Sequence, residues 1–264
     1  MTDRPTVTAA IIAQNEADRL AALVAQLEWA DQIVVIDGGS RDGTAEVAAA
    51  HGCDVVTRPL DSFANQRNAA LELARCDWVL SIDADERPAG GLVEEIRSRL
   101  GQNGYVGYRV AIRSEIFGRR FRWSGTQLDR PVRLVRRGYG RWVGAVHEVL
   151  AVDGRVGRLR GWLEHRTLPD LDAFLAKVHR YSELAAQAAV AAGRPPGPFD
   201  RWLHPFGEVA RRLVLRQGYL DGPQGWAFCL LSGLAAWVLA DRHRRYWHDE
   251  RPERGREAGM GDRR

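Results

Sequence analysis

Two aspartates, Asp83 and Asp85, stand two residues apart at the end of the apolar run 78–82. Side chains alternate across a strand, so residues i and i+2 share a face. The spacing therefore aims both carboxylates at one point just past a strand's end. Mg²⁺ takes oxygen ligands, typically one or two carboxylates together with substrate phosphates. The chemistry such a pair supplies is that of a metal–diphosphate site, although Asp-x-Asp alone is also what a polar turn after a strand looks like. A third carboxylate, Asp37, follows the apolar run 33–36 and opens Gly38-Gly39-Ser40-Arg41-Asp42-Gly43-Thr44. Glycines there let the backbone turn sharply toward a ligand. Asp37 can accept hydrogen bonds from a sugar or a base, and Ser40 or Asp42 is placed to cap the helix that follows. Asn15, with Asp18 three residues on, resembles the start of a capped helix.

The elements that must position these groups show as alternating apolar runs and amphipathic helices. Residues 7–13, 33–36, 53–57 and 78–82 read as short strands, near-continuously apolar as expected where both sheet faces are covered. Leu20, Leu23, Val24 and Leu27 carry the i, i+3, i+4, i+7 spacing of a helix. Residues 62–74, with Gln66-Arg67-Asn68, form a further helix, and Leu92, Val93, Ile96 and Leu100 mark the one after the acidic pair. The order β-α-β-α-β-α-β predicts an α/β fold with a mostly parallel sheet. Its ligand crevice lies at the carboxyl ends of the strands. No GxGxxG follows the first strand, which argues against a dinucleotide-binding domain.

The chain has 264 residues, 45% hydrophobic and 27% charged, enough for one large domain or for one domain with an appendage. A formal charge of +4 suits an anionic substrate or an anionic membrane face, and charge alone also allows nucleic acid. Lys177 is the only lysine. Cys53, Cys76 and Cys229 are widely spaced, which excludes a disulfide framework or a cysteine zinc site and suggests a reducing compartment. Residues 1–6 are polar, so no secretory signal peptide is expected.

Four motifs in order carry a resemblance. They are Asn15-Glu16 after the first strand, Asp37-x-x-Ser40-x-Asp42-Gly43-Thr44 after the second, Arg67-Asn68 on the third helix, and Asp83-Ala84-Asp85 after the fourth strand. Together they resemble glycosyltransferase family 2, with its Rossmann-like GT-A fold, over residues 6–100. The resemblance implies a first half that binds a nucleotide-sugar. Asn15, Glu16 and Asp37 would surround the nucleoside, and Arg67 would lie near the base or diphosphate with Asn68 in the same set. Asp83 and Asp85 would hold the diphosphate through Mg²⁺ or Mn²⁺. An inverting transfer then needs a base within about 3 Å of the acceptor hydroxyl and charge stabilisation on the departing diphosphate. Glu148 is the expected base and His147 an orienting or acceptor-binding group. Adjacent on a strand, the two point to opposite faces. Val146-His147-Glu148, His165 and Lys177-x-x-Arg180-Tyr181 resemble the subgroup that builds the lipopolysaccharide core, including glucosyltransferases. His-Glu stands here where many family members have Glu-Asp.

In the second half, ten arginines between Arg109 and Arg141 interleave with Phe117, Phe121, Trp123, Tyr139 and Trp142. This band reads as the acceptor cleft, with Trp123, Arg133, His147 and Lys177 as acceptor-binding candidates. A helix over 171–192 ends in the Pro- and Gly-rich break 193–198. Beyond it, Phe206, Val209, Leu213 and Val214 share a face near Arg211, Arg212 and Arg216, a pattern suited to an anionic membrane surface. Residues 222–240 are uncharged and borderline in length for a membrane span, read here as membrane-seated or re-entrant.

The expected organisation is a GT-A domain over 1–192, divided at residue 100 into donor and acceptor halves. A membrane-associating helical region over 193–240 and a charged, disordered tail over 241–264 follow. The expected function is an inverting, metal-dependent transfer, from UDP-glucose in the first instance, to a lipid-linked saccharide at the cytoplasmic face of the plasma membrane. No nucleic acid partner is expected. The alternative is a non-catalytic basic membrane or nucleic-acid adaptor on a degenerate α/β scaffold. It predicts lost acidic positions, whereas Asp37, Asp83, Asp85 and Glu148 are all present.

Overall fold

The four apolar runs form the parallel half of one sheet: β1 (Val7–Ala13), β2 (Gln32–Asp37), β3 (Asp54–Thr57) and β4 (Trp78–Asp83). The computed structural model describes residues 4–100, 104–144 and 148–260, with side chains described to residue 249. Helices α1 (Ala17–Gln26), α2 (Thr44–Ala50) and α3 (Phe63–Leu73) join these strands. After β4 come β5 (Glu86–Ala89), α4 (Leu92–Arg99), β6 (Gly107–Ile116), the two-residue β7 (Arg119–Arg120) and β8 (Val132–Arg136). The hairpin of β9 (Gly140–Val143) and β10 (Val149–Val152) forms a separate two-stranded sheet, and β11 (Val156–Leu168) follows.

The main sheet runs β3-β2-β1-β4-β8-β6-β11-β5. The pairings β3–β2, β2–β1 and β1–β4 are parallel. β4–β8, β8–β6 and β11–β5 are antiparallel, so the sheet is mixed. Register fixes the site. Ala13 pairs with Asp37 and Ile12 with Asp83, so β1, β2 and β4 end together and deliver two carboxylates to one sheet edge.

Alternation along β1 divides the core into two layers. Val7, Ala9, Ile11 and Ala13 pack with Leu20 and Leu23 of α1, with Leu27 at its C-terminal cap and with Leu92 and Ile96 of α4. Ala10 packs the other way, with Val34, Ile36, Val79 and the alanines Ala64 and Ala70 of α3. Small residues let α3 approach closely. Gly161 on β11 serves the same end against α4: a Cβ there would lie 2.5 Å from the Cα of Leu92 and 2.8 Å from its nitrogen. Gly161→Ala is therefore expected to cost about 1–3 kcal/mol, read as a lower denaturant midpoint. An unchanged midpoint would show that α4 shifts freely on the sheet.

The chain forms two compact units, Met1–Glu115 with Thr126–Thr167, and Ile116–Gly125 with Leu168–Arg264. The second contains α5 (Leu171–Ala191), α6 (Asp200–Ala210), a π-helical turn Arg211–Leu215, a 3-10 turn Gly218–Asp221 and α7 (Gly222–Met260). α5, which the sequence assigned to the first domain, clusters here with α6 and α7. Its core is Ile116, Phe121, Leu168, Phe174 and Phe228. The helix α7 runs on beyond residue 241 to Met260. Its stretch just past residue 241 is tied to α5: Arg242 donates to the His179 carbonyl at 2.6 Å and Tyr246 to Glu183 at 3.4 Å. The stretch Gly218–Asp249 is long and apolar enough to cross a membrane by length and composition, with 33% of its most apolar window buried.

Candidate active site

The loops after β1 and β2 interlock. The Asn15 amide donates to Ser40 Oγ at 2.8 Å, that of Glu16 to Thr44 Oγ1 at 2.9 Å, and that of Ala17 to Asp42 Oδ2 at 3.1 Å. In return Arg41 donates its amide to Asn15 Oδ1 at 2.9 Å. One local expectation changes as a result. Asn15 does not cap α1: its φ is +56°, and its side chain serves the neighbouring loop. Asp42 serves both helices: its Oδ2 accepts the first amide of α1, and its Oδ1 accepts the amide of Thr44, the first residue of α2, at 3.1 Å, while Gly43 before it is in the left-handed region at φ +86°. For Asn15 a long-range partner replaces the local one, and for Asp42 it is added to the local one, because both loops crowd one sheet edge. Asp37 is the anchor, 1% exposed, accepting the amides of Gly39 and Ser40 at 3.1 Å and the Ser40 hydroxyl.

Asp83 lies between two buried arginines. Arg67 Nη2 donates to its Oδ1 at 2.7 Å and Arg133 Nη2 to its Oδ2 at 3.2 Å. Burial alone would raise the Asp83 pKa, but the two guanidiniums outweigh it and hold the carboxyl well below the usual range. Arg133 also donates to Glu86 Oε1 at 2.7 Å, and the Asp83 amide donates to Glu86 Oε2 at 3.0 Å. Glu86 is fully buried, and burial pushes its carboxyl up to about 7, with the charge of Asp83 adding to the shift and Arg133 opposing it. Arg133, expected to meet the acceptor, thus has its guanidinium on these two carboxylates.

β4 stops at Asp83 and the chain turns, so strand alternation does not carry through to Asp85. The two aspartates accordingly take different partners. Asp85 Oδ2 lies 3.0 Å from His165 Nε2. Arg87 holds the turn by donating to the carbonyls of Ala84 at 2.8 Å and Arg19 at 2.6 Å. His165 was absent from the site set read from sequence. Its signal is the alternation of Leu159, Gly161 and Leu163, all buried, which puts His165 on the same face of β11.

Glu148 reaches the same centre, its Oε1 accepting from Arg67 Nε at 3.2 Å. The Arg67 guanidinium stacks 4.8 Å from the Trp142 ring centroid. Asn68 is occupied elsewhere: its amide donates to the Trp142 carbonyl and accepts from the Trp142 amide, both at 2.9 Å, fastening α3 to β9. Position 147 lies outside the described residues, so the expectation for His147 is untouched. In the second unit, Trp123 sits on a loop fixed by Asp221, which accepts the amides of Arg122 at 2.8 Å and Trp123 at 3.0 Å and the Ser124 hydroxyl at 2.9 Å. Lys177 is exposed on α5, its Nζ 5.7 Å from the Tyr181 ring centroid.

In the first unit, then, four carboxylates (Asp83, Asp85, Glu86 and Glu148) gather with two guanidiniums and one imidazole at the carboxyl end of β4. Such a set has negative charge in excess and suits a cation beside a polyanion. Asp85 and His165 are a carboxylate and an imidazole, side-chain types that can act as metal ligands. Their 3.0 Å separation is that of a hydrogen bond between imidazole and carboxylate. Among the described residues no group of three or more metal-ligating side chains forms, so the other positions would fall to substrate oxygens and water.

The family described as glycosyl transferase family 2 matches residues 8–151. The lipopolysaccharide core biosynthesis glycosyltransferase LpsC of Rhizobium meliloti is 34% identical over 199 residues, covering 72% of this chain and 74% of LpsC. An uncharacterised glycosyltransferase of Rickettsia typhi is 24% identical over 86% of this chain and 83% of its own. Among solved structures, the mannosyltransferase of Pyrobaculum calidifontis in complex with GDP-Man and Mn²⁺ superposes with a TM-score of 0.51. It is 15% identical over 92% of this chain and 88% of its own, a likeness of fold alone. The chain belongs to glycosyl transferase family 2 and is a glycosyltransferase of GT-A fold.

Proposed function

We propose that this enzyme moves a sugar from a nucleotide-sugar, UDP-glucose being the first donor to test, to a lipid-linked saccharide of the lipopolysaccharide-core type. The transfer is one inverting displacement. Glu148 takes the proton of the acceptor hydroxyl, that oxygen attacks the anomeric carbon, and the bond to the diphosphate breaks. Arg67 holds Glu148 by Oε1 and leaves Oε2 to the hydroxyl. Asp85 and His165 would hold Mg²⁺ or Mn²⁺, with Asp83 kept ionised beside them by Arg67 and Arg133. The ion would neutralise charge developing on the leaving diphosphate. The interlocked loops around Asp37, with Asn15 and Glu16, would receive the nucleoside. Trp123 and Lys177 are offered for the acceptor on residue type, an aromatic face and an ammonium.

The observation that carries this reading is the Asp85–His165 pair at 3.0 Å beside the Arg67-linked carboxylates Asp83 and Glu148. The named role of LpsC supports the acceptor class, and the Mn²⁺ named with the mannosyltransferase supports a divalent ion. A lipid-linked acceptor in turn favours attachment to the cytoplasmic face of the plasma membrane. Calorimetric titration of UDP-glucose, UDP and GDP-mannose, with Mn²⁺ and with chelator, tests the donor half. The expected result is binding of one nucleotide-sugar that chelation abolishes. Binding unaffected by chelation, or none to any nucleotide by folded protein, would overturn the reading.

A further inference from the structure

Large hydrophobic side chains are not exposed evenly. Twelve of the 22 exposed ones among the described residues lie between 199 and 239, all in the second unit. Four of them, Phe199, Trp202, Leu203 and Phe206, are 62–71% exposed and share one face of α6 by their spacing. The row continues to Val214 and Leu215 in the π-helical turn. The ridge is bounded on one side by the contact of α6 with α7: Val209 and the Pro205 carbonyl crowd Gly233, where a Cβ would lie 2.4 Å and 3.2 Å from them. Next to that line α7 exposes an outer row of its own, Trp226, Leu230 and Leu234.

The ridge is a row of aromatic and leucine side chains standing off a helix, and it is basic at its flanks. From residue 194 to 216 five arginines stand against two acids, Asp200 and Glu208. Glu208 is neutralised by Arg211 at 2.7 Å and Arg212 at 2.5 Å. Arg194 and Arg216 are exposed. A large apolar patch with a cationic margin matches the interface of an anionic bilayer, where aromatic rings lie at headgroup depth and guanidiniums meet phosphates. α7 itself is apolar over enough length to span, but its inner face is already buried. Phe228, Cys229, Ser232 and Ala240 are each less than 10% exposed. The α5 helix that packs beside α7 exposes Lys177, His179 and Arg180. A span by α7 would carry those charges into hydrocarbon.

We infer that the second unit seats in one leaflet of an anionic bilayer through the outer ridge of α6 and the outer row of α7, without α7 crossing; the inference rests on the lipid-linked acceptor proposed above. Full-length protein is tested by co-sedimentation with vesicles of phosphatidylcholine mixed with phosphatidylglycerol, and with phosphatidylcholine alone. The wild type is expected to bind the anionic vesicles, more weakly at high salt, and to leave native membranes in alkaline carbonate. The double variant Trp202→Glu, Phe206→Glu is expected to lose at least about tenfold in vesicle affinity. Both side chains are exposed, so donor titration on the same variant should match wild type and certify its fold. The milder Trp202→Ala, Phe206→Ala pair should fall between. Equal vesicle binding by wild type and both variants overturns the ridge, and resistance to alkaline extraction overturns the in-plane seating. A lipid-independent dimer that the Glu variant dissolves, without vesicle binding, assigns the ridge to a second copy and overturns the inference. Intact vesicle binding with no donor binding would sink the proposed function and leave the ridge standing.

Discussion

Asp85→Ala is expected to remove metal-dependent donor binding while leaving the fold almost untouched. Asp85 is partly exposed and its side chain pairs with His165 alone among the ion pairs at the site, so its loss should change stability by about 1 kcal/mol or less. Changing even the outer support of a metal ligand typically costs 10–100-fold in metal affinity. Loss of one of two protein ligands should therefore weaken Mn²⁺-dependent UDP-glucose binding at least about a hundredfold. His165→Ala should act in the same direction. Asp83→Ala should behave differently, because it removes the carboxylate on which Arg67 and Arg133 converge. That variant should lose thermal stability together with donor binding. Calorimetric titration and thermal melts on the three proteins separate the roles. An Asp85→Ala enzyme that binds donor with wild-type metal dependence would remove Asp85 from the site.

The parts of the site that lie on local patterns could be read from the sequence, and the parts that depend on register could not. Four apolar runs and their helices gave β1 to β4 with Asp37 and Asp83 at strand ends, because strand ends are marked by the switch from apolar to polar residues. The i, i+2 rule failed at Asp85 because it presumes the strand continues, and β4 stops one residue after Ile82. Arg133 looked like an acceptor contact within an arginine-rich band. Its antiparallel strand β8 instead pairs with β4 and brings its guanidinium onto Asp83 and Glu86. Arginine and glycine dilute the alternation of β11, so the local pattern does not place His165 at the site. The long-range bonds of Asn15 and Asp42 have no local signature, since each reaches a loop about 25 residues away.

Arg67→Met should be the most destabilising single change at the site. The Arg67 side chain is 7% exposed and touches two carboxylates, Asp83 at 2.7 Å and Glu148 at 3.2 Å. Removing one member of a buried ion-pair network strands the others, at about 3–5 kcal/mol. At roughly 2–4 °C per kcal/mol for a chain of this size, the melting temperature should fall by about 6–20 °C. Asp83 keeps Arg133, so the charge left unpaired is chiefly that of Glu148. The double variant Arg67→Met, Glu148→Gln should therefore recover about 0.5–3 kcal/mol relative to the sum of the single effects, without recovering transfer activity. Arg67→Lys retains the charge but not the fork that reaches both carboxylates, and should fall between wild type and Arg67→Met. A double variant no more stable than the sum of its parts would mean that Arg67 holds Asp83 alone. The base would then owe its position to the β9–β10 hairpin rather than to the arginine.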